Sequence, residues 1–392
     1  MIDNVAVLTP QTSDRVGRSW RSLVTATLQV VPFLALFFVS CAAAYGSFFA
    51  KWGFCSTGVD PDAPCLLQEM LDGTAKRPWI YRRLVPELAQ WLQVHTPAGL
   101  QARLESMLQA DNMAQHYSAV IAAVNQPAAL QITFYYVYLL GFVAFVGAAV
   151  VMWRIGMQLT ADRFASALAA TVFVLVFPMF LTVGGNFYDF SELFFYAMAF
   201  WLALCFSPGW LVLLAPLATY NKEAFFFFSV TLFPLLANRF GWRKGGLWTL
   251  LVLLVSGITY SVVKTHYAGN PGGVVQFHLW DQLHYFRYPG HLKGFEFQYG
   301  LVTPKSFNLI NILLVVMLVR TGWLPLPRQV KQYLWLALAV NVPLFLLFCY
   351  PGEIRNLSML YMGLVSMLAC GLSYTMTRFY QGRVTDDAGT PR

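Results

Sequence analysis

The chain has 392 residues, of which 58% are hydrophobic and only 11% are charged. Soluble globular domains carry about 25% charged residues, so the composition excludes an ordinary soluble domain. It predicts an all-α fold, a polytopic transmembrane helix bundle that forms one domain over residues 1–381. The net charge of +8 comes from basic residues scattered between apolar runs, which argues against a nucleic-acid partner.

The first apolar run, from Leu23 to Ala50, follows a polar segment and predicts a membrane anchor. It is too long for the hydrophobic region of a cleavable signal peptide. Because a spanning helix needs roughly 17–25 apolar residues, the chain predicts about ten spans. The fourth to sixth are short and are candidates for broken or re-entrant helices. The spans lie near 23–49, 131–153, 164–183, 191–206, 209–221, 224–237, 246–264, 305–320, 332–350 and 357–377.

The distribution of basic residues predicts the orientation. Lys and Arg are enriched in cytoplasmic loops, and with a cytoplasmic N-terminus every cytoplasmic segment except the 207–209 turn is basic. The C-terminus is then also cytoplasmic, with a disordered tail over 382–392. We therefore expect a multi-pass protein of the bacterial inner membrane. All six histidines fall outside, and so do all but five of the 18 acidic residues, the exceptions being Asp3, Asp14, Asp162, Asp386 and Asp387.

Two extracytoplasmic segments are long. The first, 51–130, contains an amphipathic stretch at 78–94 and a second near 98–110, a pattern typical of helices that lie in the membrane interface. The other, 265–304, is rich in Gly, His, Tyr and Phe and predicts an irregular lid or cover over a cavity.

The loop cysteines are candidates for a disulfide bond, and the loop histidines are candidates for metal binding. Cys55 and Cys65 lie ten residues apart on the oxidising side, where they form either a disulfide or two free thiols. The histidines at 266, 278, 284 and 291 match no zinc spacing and favour hydrogen-bonded structure over metal binding.

The segment 184–192 (GGNFYDFSE) brings two acids to a predicted helix start. Asp189 and Glu192 are three residues apart and can therefore face one cavity. They predict either a catalytic base or two oxygen ligands for a divalent cation such as Mg²⁺ or Mn²⁺. The alternative is helix capping and compensation of the helix dipole.

Three further motifs carry charge beside apolar runs, where charge is costly. Asn221, Lys222 and Glu223 form either a functional turn or a self-compensating ion pair. The segment 353–356 (EIRN) offers Arg355 for bidentate capture of an anion, or an interfacial arginine paired with Glu353. In the segment 76–83 (KRPWIYRR), Arg77, Arg82 and Arg83 predict either specific binding of a lipid phosphate or nonspecific attraction to anionic lipid.

The predicted arrangement resembles the GT-C superfamily of integral-membrane glycosyltransferases. It combines a cytoplasmic N-terminus, a long first outer loop with interfacial helices, and acids in the first two outer loops. The segments RPWIYRRLVP, YDFSE, NKE and EIRN are also similar to those of bacterial membrane proteins associated with surface polysaccharide or pilin glycosylation. The chain departs from better-known members in having no compact DxD or ExD motif and no soluble C-terminal domain.

The resemblance implies a GT-C-like fold and a polyprenyl-phosphate-linked sugar as donor, with a glycan, lipid or protein as acceptor in the cell envelope. The base would come from Asp189, Glu192, Asp60 or Glu223, with Asp62 as an alternative to Asp60. The donor phosphate and sugar would be held by cations, aromatic rings and polar groups. The candidates are Arg77, Tyr81, Arg82, Arg83, Tyr188, Asn221, Lys222, Glu353 and Arg355.

Two other functions remain open on sequence grounds. The short spans near 184–234 are compatible with the broken helices of a transporter or flippase, although no inverted repeat is evident. A polysaccharide polymerase or ligase would also use arginines on the outer face. No P-loop, Rossmann fingerprint or HExxH motif occurs, so ATP-driven transport and the common metalloprotease mechanism are unsupported.

Overall fold

A computed structural model of the protein describes residues 20–54, 66–109, 128–273 and 275–388. Asp60, Asp62, Cys55 and Cys65 lie outside these ranges, so the predictions made for them stay predictions. The described chain is mostly helical. Its first half contains α1 (Trp20–Trp52), α2 (Leu66–Leu71), a 3-10 turn (Trp79–Tyr81), α3 (Leu84–His95), α4 (Ala98–Gln109), α5 (Ala128–Thr160), α6 (Arg163–Phe180), α7 (Asp189–Cys205) and α8 (Gly209–Asn221).

The second half contains further helices and one small sheet. These are α9 (Phe225–Thr231), α10 (Phe233–Phe240), α11 (Trp242–His266), α12 (Leu279–Arg287), a 3-10 turn (Pro289–Lys293), β1 (Phe295–Gln298), β2 (Leu301–Pro304), α13 (Leu309–Gly322), α14 (Arg328–Phe348), a 3-10 segment (Ile354–Leu360) and α15 (Tyr361–Ala388).

Among the described residues, six helices are long and apolar enough, by length and composition, to cross a membrane, which is the pattern of a multi-pass membrane protein. They are Val30–Trp52, Leu130–Thr160, Arg163–Phe180, Trp242–His266, Arg328–Phe348 and Ile354–Phe379. The shorter apolar helix Leu309–Gly322 corresponds to a further predicted span. The total of about ten spans stays a prediction.

The predicted span 224–237 is two helices, α9 and α10, which meet at Leu232, as expected for a broken helix. Elsewhere the structure differs from the sequence expectations. The segment predicted to be an irregular lid contains α12 and an antiparallel hairpin of β1 and β2, so the described fold is not purely α-helical. The last helix continues to Ala388, into the segment for which we predicted disorder.

Helices α5, α6 and α7 form the centre of the bundle, and α1 and α15 pack against α6. Their contact is dominated by aromatic rings. The ring of Phe190 lies 4.6 Å from that of Tyr45, 4.8 Å from Phe48 and 4.9 Å from Phe145, measured between centroids. Each is fully or almost fully buried. Offset and edge-on aromatic pairs add about 0.5–1.5 kcal/mol beyond their buried area, so this cluster fixes the first turn of α7 and the acids on it.

Consecutive long helices alternate in direction, so the bundle has two ends. One end collects the C-termini of α1, α6, α8, α11 and α14 and the N-termini of α5, α7, α9, α13 and the 3-10 segment at 354–360. We call this the loop end, because both long loops join it. The other end, the basic end, carries Arg154, Arg163, Arg239, Arg243, Lys244, Arg320, Arg328, Lys331 and Arg378. The predicted orientation places the loop end outside the cytoplasm.

Candidate functional site

The loop between α6 and α7 places two acids inside the loop end. Helix α6 ends shortly after Pro178, which has no backbone N–H to donate, and Gly184 then turns the chain at a φ of +73°. The backbone N–H of Asn186 donates to the Asp189 carboxylate at 2.9 Å. Asp189 and Glu192 are each 3% exposed and lie on one face of the first turn of α7, as the sequence predicts.

Lys222 joins the two acids. It follows the last residue of α8 in an extended conformation, which directs its side chain towards α7. Its ammonium lies 3.0 Å from Asp189 Oδ1 and 2.6 Å from Glu192 Oε2, and its side chain is 5% exposed. A buried charge needs such compensation, because an unpaired one would shed its charge or unfold the site.

This arrangement bears on the metal alternative. Asp189 and Glu192 were predicted either as a catalytic base or as ligands of a divalent cation, and in the structure the ammonium of Lys222 lies between their carboxylates. Within the part of the chain that the structure describes, no three His, Cys, Asp or Glu side chains are grouped so that they could hold a metal ion.

Arg355 brings the far end of the chain into the same cluster. Its Nη1 donates to Asp189 Oδ2 at 2.9 Å, and its Nη2 lies 3.4 Å from Glu353 Oε1. Both oxygens of Asp189 therefore face a cation. Gly184 packs so closely here that a Cβ on it would lie 2.7 Å from Glu353 Oε1. The φ of +73° favours glycine at this position, and a Cβ there would require the Glu353 carboxylate to shift.

Arg82 is the residue of the first outer loop that joins these charged side chains. Sequence reasoning predicted one amphipathic helix over 78–94, but the chain leaves helical geometry at Arg82, between the 3-10 turn and α3. This break turns the guanidinium inward. Its Nε and Nη2 donate to the two Glu223 oxygens at 3.0 and 2.5 Å, and its Nη1 donates to the Tyr188 hydroxyl at 2.5 Å. The bidentate geometry is the arginine–carboxylate fork.

Neutral polar groups complete the cluster. Ser191 donates to the side chain of Asn221 at 2.6 Å, Ser358 donates to Glu192 Oε1 at 3.0 Å, and Asn356 donates to Glu353 Oε2 at 2.8 Å. Sequence reasoning did not select Ser191, Asn356 or Ser358. The first two lie inside quoted motifs, whereas Ser358 follows the EIRN motif with no local signal of its own.

We call the joined side chains the charged cluster. Its seven ionic members come from four distant segments of the chain, and each was a predicted site residue. They are Arg82, Asp189, Glu192, Lys222, Glu223, Glu353 and Arg355.

Three other predicted substrate-binding residues do not join this cluster. Arg77 donates to the backbone carbonyl of Gly272 at 2.6 Å. Arg83 pairs with Glu87 at 2.8 Å. Tyr81 is buried with its ring 6.1 Å from that of Tyr260. The contacts of Arg77 and Tyr81 tie the first outer loop to α11 and to the segment that follows it, whereas the Arg83 pair lies within the loop.

The four carboxylates of the cluster differ in solvent exposure. The side chains of Asp189 and Glu192 are 3% and 4% exposed, and both are neutralised by buried cations. Those of Glu353 and Glu223 are 18% and 23% exposed. Within the described ranges, Glu353 contacts one cation, Arg355, at a long 3.4 Å, whereas Glu223 is held by the arginine fork. A base needs an oxygen that a substrate hydroxyl can reach, which favours Glu353 and then Glu223.

Comparisons of the chain with protein-family models, with curated proteins and with solved structures found no match.

Proposed function

We propose that the chain is a membrane glycosyltransferase. It moves a sugar from a polyprenyl-phosphate donor to a glycan, lipid or protein acceptor at the extracytoplasmic face. The observation that carries the proposal is the gathering of four carboxylates and three cations from distant segments at the loop end of an apolar bundle. Intramembrane ionisable groups are costly and mark functional sites by default.

The chemistry needs two kinds of group, and the cluster contains both. The acceptor hydroxyl attacks the anomeric carbon, the bond from that carbon to the phosphate oxygen breaks, and the hydroxyl proton passes to a carboxylate. We assign the proton to Glu353, with Glu223 as the second candidate. This order differs from the sequence-based order, which began with Asp189, because the Asp189 oxygens already accept from Lys222, Arg355 and a backbone N–H.

The leaving phosphate needs nearby positive charge, which Arg355 and Arg82 supply at the edge of the cluster. The guanidinium of Arg355 is 10% exposed and that of Arg82 is 11% exposed. Arginine forks suit phosphate as well as carboxylate, so a donor phosphate can replace part of the contact with Glu353 or Glu223. Lys222 lies deeper and holds Asp189 and Glu192 in place.

The test is a transfer assay on the full chain in proteoliposomes, with a panel of polyprenyl-phosphate sugars and candidate acceptors. We expect Glu353→Gln to reduce turnover at least about 100-fold, the range of a lost general base, with a smaller loss for Glu223→Gln. The matched control is Asp281→Asn, which removes a carboxylate at the same end that is 60% exposed and paired with His278. It should keep full turnover.

The outcomes separate this proposal from its rivals. Full turnover in both glutamate variants would overturn the assignment of the base while leaving the activity standing. If no donor is consumed but a lipid-linked or small polar substrate crosses the vesicle membrane, the protein is a transporter. If repeated addition to a growing glycan is seen, it is a polymerase or ligase.

A further inference from the structure

The hairpin in the second long loop has an inverted distribution of polar and apolar side chains. In the register of β1 and β2, Phe297 is paired with Val302 and Glu296 with Thr303. Phe297 is 67% exposed and Val302 61% exposed, whereas Thr303 is 8% exposed. A sheet with one face in water normally turns its polar residues outward. Here the apolar pair faces out and the polar pair faces the protein.

The polar face of the hairpin is fixed to the bundle. Glu296 lies 3.3 Å from the ammonium of Lys51 at the end of α1, and 3.3 Å from that of Lys305. The Gln298 side chain accepts from Ser47 at 3.0 Å, and the Tyr299 hydroxyl donates to the backbone of Leu175 at 2.8 Å. The hairpin is therefore held in one orientation, and its outward apolar face is a consequence of specific contacts.

Helix α12, in the same loop, also exposes apolar side chains. Trp280 is 74% exposed and Leu283 is 51% exposed. The helix is attached to the end of α14, because the backbone of His278 donates to Leu347 at 2.8 Å and the Gln282 side chain donates to Cys349 at 3.0 Å. Its exposed apolar residues therefore lie at the level where α14, a candidate membrane span, ends.

The length of α13 supplies an independent reason for an apolar surface here. This helix begins five residues after the hairpin and has 14 residues, a length of about 21 Å. The hydrocarbon core is about 30 Å thick. Nearly the whole outer surface of α13 is apolar and exposed, so a lipid-facing element shorter than the bilayer core continues directly into an apolar hairpin.

We propose that the hairpin and α12 lie in the membrane interface of the leaflet at the loop end. Phe297, Val302, Trp280 and Leu283 would contact lipid there. The open strand edges require water or headgroups as hydrogen-bond partners, which places the hairpin at the headgroup boundary and not in the hydrocarbon core. The bilayer beside α13 is then thinned to match its length.

This arrangement connects the lipid surface to the loop that carries Asp189. Directly after the hairpin, the backbone of Ser306 donates to the Thr182 hydroxyl at 3.2 Å, and Lys51 donates to the Thr182 carbonyl at 3.0 Å. Thr182 belongs to the loop that leads into α7. The inference does not depend on the proposed glycosyl transfer, because any function of the charged cluster would have the same lipid boundary.

The test places an environment-sensitive fluorescent amino acid at Phe297, by codon suppression in the full chain, and reconstitutes the protein in nanodiscs. A second variant carries it at Trp280, and the control carries it at Ala268, an exposed residue after α11. Quenching is measured with lipids brominated at a shallow acyl position and with aqueous iodide.

We expect brominated lipid to quench the probes at 297 and 280 at least twofold more strongly than the probe at 268, with the order reversed for iodide. Equal iodide quenching at all three positions would place the surface in water and overturn the proposal. Protection from both quenchers would mean that another protein or a second copy covers the surface, and would also overturn it.

Discussion

The two ends of the bundle use charge in different ways. At the basic end the charged side chains are almost all positive and lie towards the surface; Arg239, for example, donates to the backbone carbonyls of Ala203 and Phe206 that end α7. At the loop end, both signs are buried together and paired with each other. The first pattern is the one that sets orientation in a membrane. The second does nothing for orientation and costs desolvation energy, which points to a chemical role.

Removing the central cation should give the largest loss in the free energy of unfolding. It tests the difference between the two ends most directly. Lys222→Met leaves Asp189 and Glu192 buried without their shared counter-charge. We expect a loss of about 3–5 kcal/mol in the free energy of unfolding, the usual cost of breaking a buried ion pair, measured by equilibrium unfolding in mixed micelles. Lys244→Met, at the exposed basic end, is the matched control and should change stability by less than about 0.5 kcal/mol.

A second substitution sharpens this result. Adding Glu192→Gln to Lys222→Met removes one of the two uncompensated carboxylates, so the double variant should be more stable than Lys222→Met alone. If the double variant is less stable, or if Lys244→Met matches the loss at Lys222, the pairing is not what stabilises the loop end.

Arg82→Gln should have a smaller effect. It removes the fork to Glu223 and the hydrogen bond to Tyr188, and we expect a loss of about 1.5–3 kcal/mol, the range for hydrogen bonds to charged groups. Arg82→Lys keeps the charge without the fork and should fall between the wild type and Arg82→Gln in the same unfolding measurement. Equal losses in the two variants would show that charge is dispensable at this position.

Two glycines with positive φ, one at each end of the bundle, allow the effect of backbone strain to be compared between the ends. Gly184, at the cluster, has a φ of +73°, and Gly241, at the basic end, has a φ of +80° with open space where a Cβ would lie. Alanine at either position should cost about 1–3 kcal/mol of backbone strain. Only Gly184→Ala should also lower turnover in the transfer assay, because its Cβ would displace Glu353. Similar turnover in both variants would contradict this role.

The smallest expected effect concerns the pH dependence of the hairpin contact. Partial burial alone would raise the pKa of Glu296, but the charge of Lys51 and the hydrogen bond from Lys305 outweigh it and hold the pKa below its ordinary value. The stabilisation is therefore present above the unfolded-state pKa, about 4.3, and is lost as the pH falls through the lower folded-state value.

The comparison of wild type with Glu296→Gln tests this sign. The stability difference at pH 7 should be below about 1 kcal/mol, because the pair is partly exposed, and it should shrink towards zero as the pH falls below about 4. A difference that grows on acidification would contradict the assignment.

The sequence predicted the membrane character and the residues of the charged cluster, because apolar runs and isolated charges are local signals. Of the ion pairs, it offered Arg355 with Glu353 as one alternative. It did not predict the others, and Lys222 and Glu223 pair with distant residues instead of with each other. Lys222 contacts acids 30 and 33 residues away, and Arg355 contacts one 166 residues away. Such partners depend on helix packing, which no local pattern encodes.

Two other errors have local physical causes. Arg82 was predicted to lie on a continuous helix, but the chain breaks there and the guanidinium turns inward to Glu223. The hairpin was missed because its strands are only four residues long and because its Phe–Glu–Phe–Gln alternation faces the opposite way from a water-exposed strand.

The ionic side chains of the charged cluster have a consequence for whatever enters it. Four carboxylates face three cations, so with all seven ionised the group carries one surplus electron charge. An anion that binds there adds to this negative charge, and like charges brought together in a medium of low polarity repel strongly. Co-binding of a proton or a small cation with a phosphate would offset that cost. Proton uptake would appear in a binding calorimetry experiment repeated in buffers of different ionisation enthalpy, and cation uptake would appear as a dependence of affinity on cation concentration.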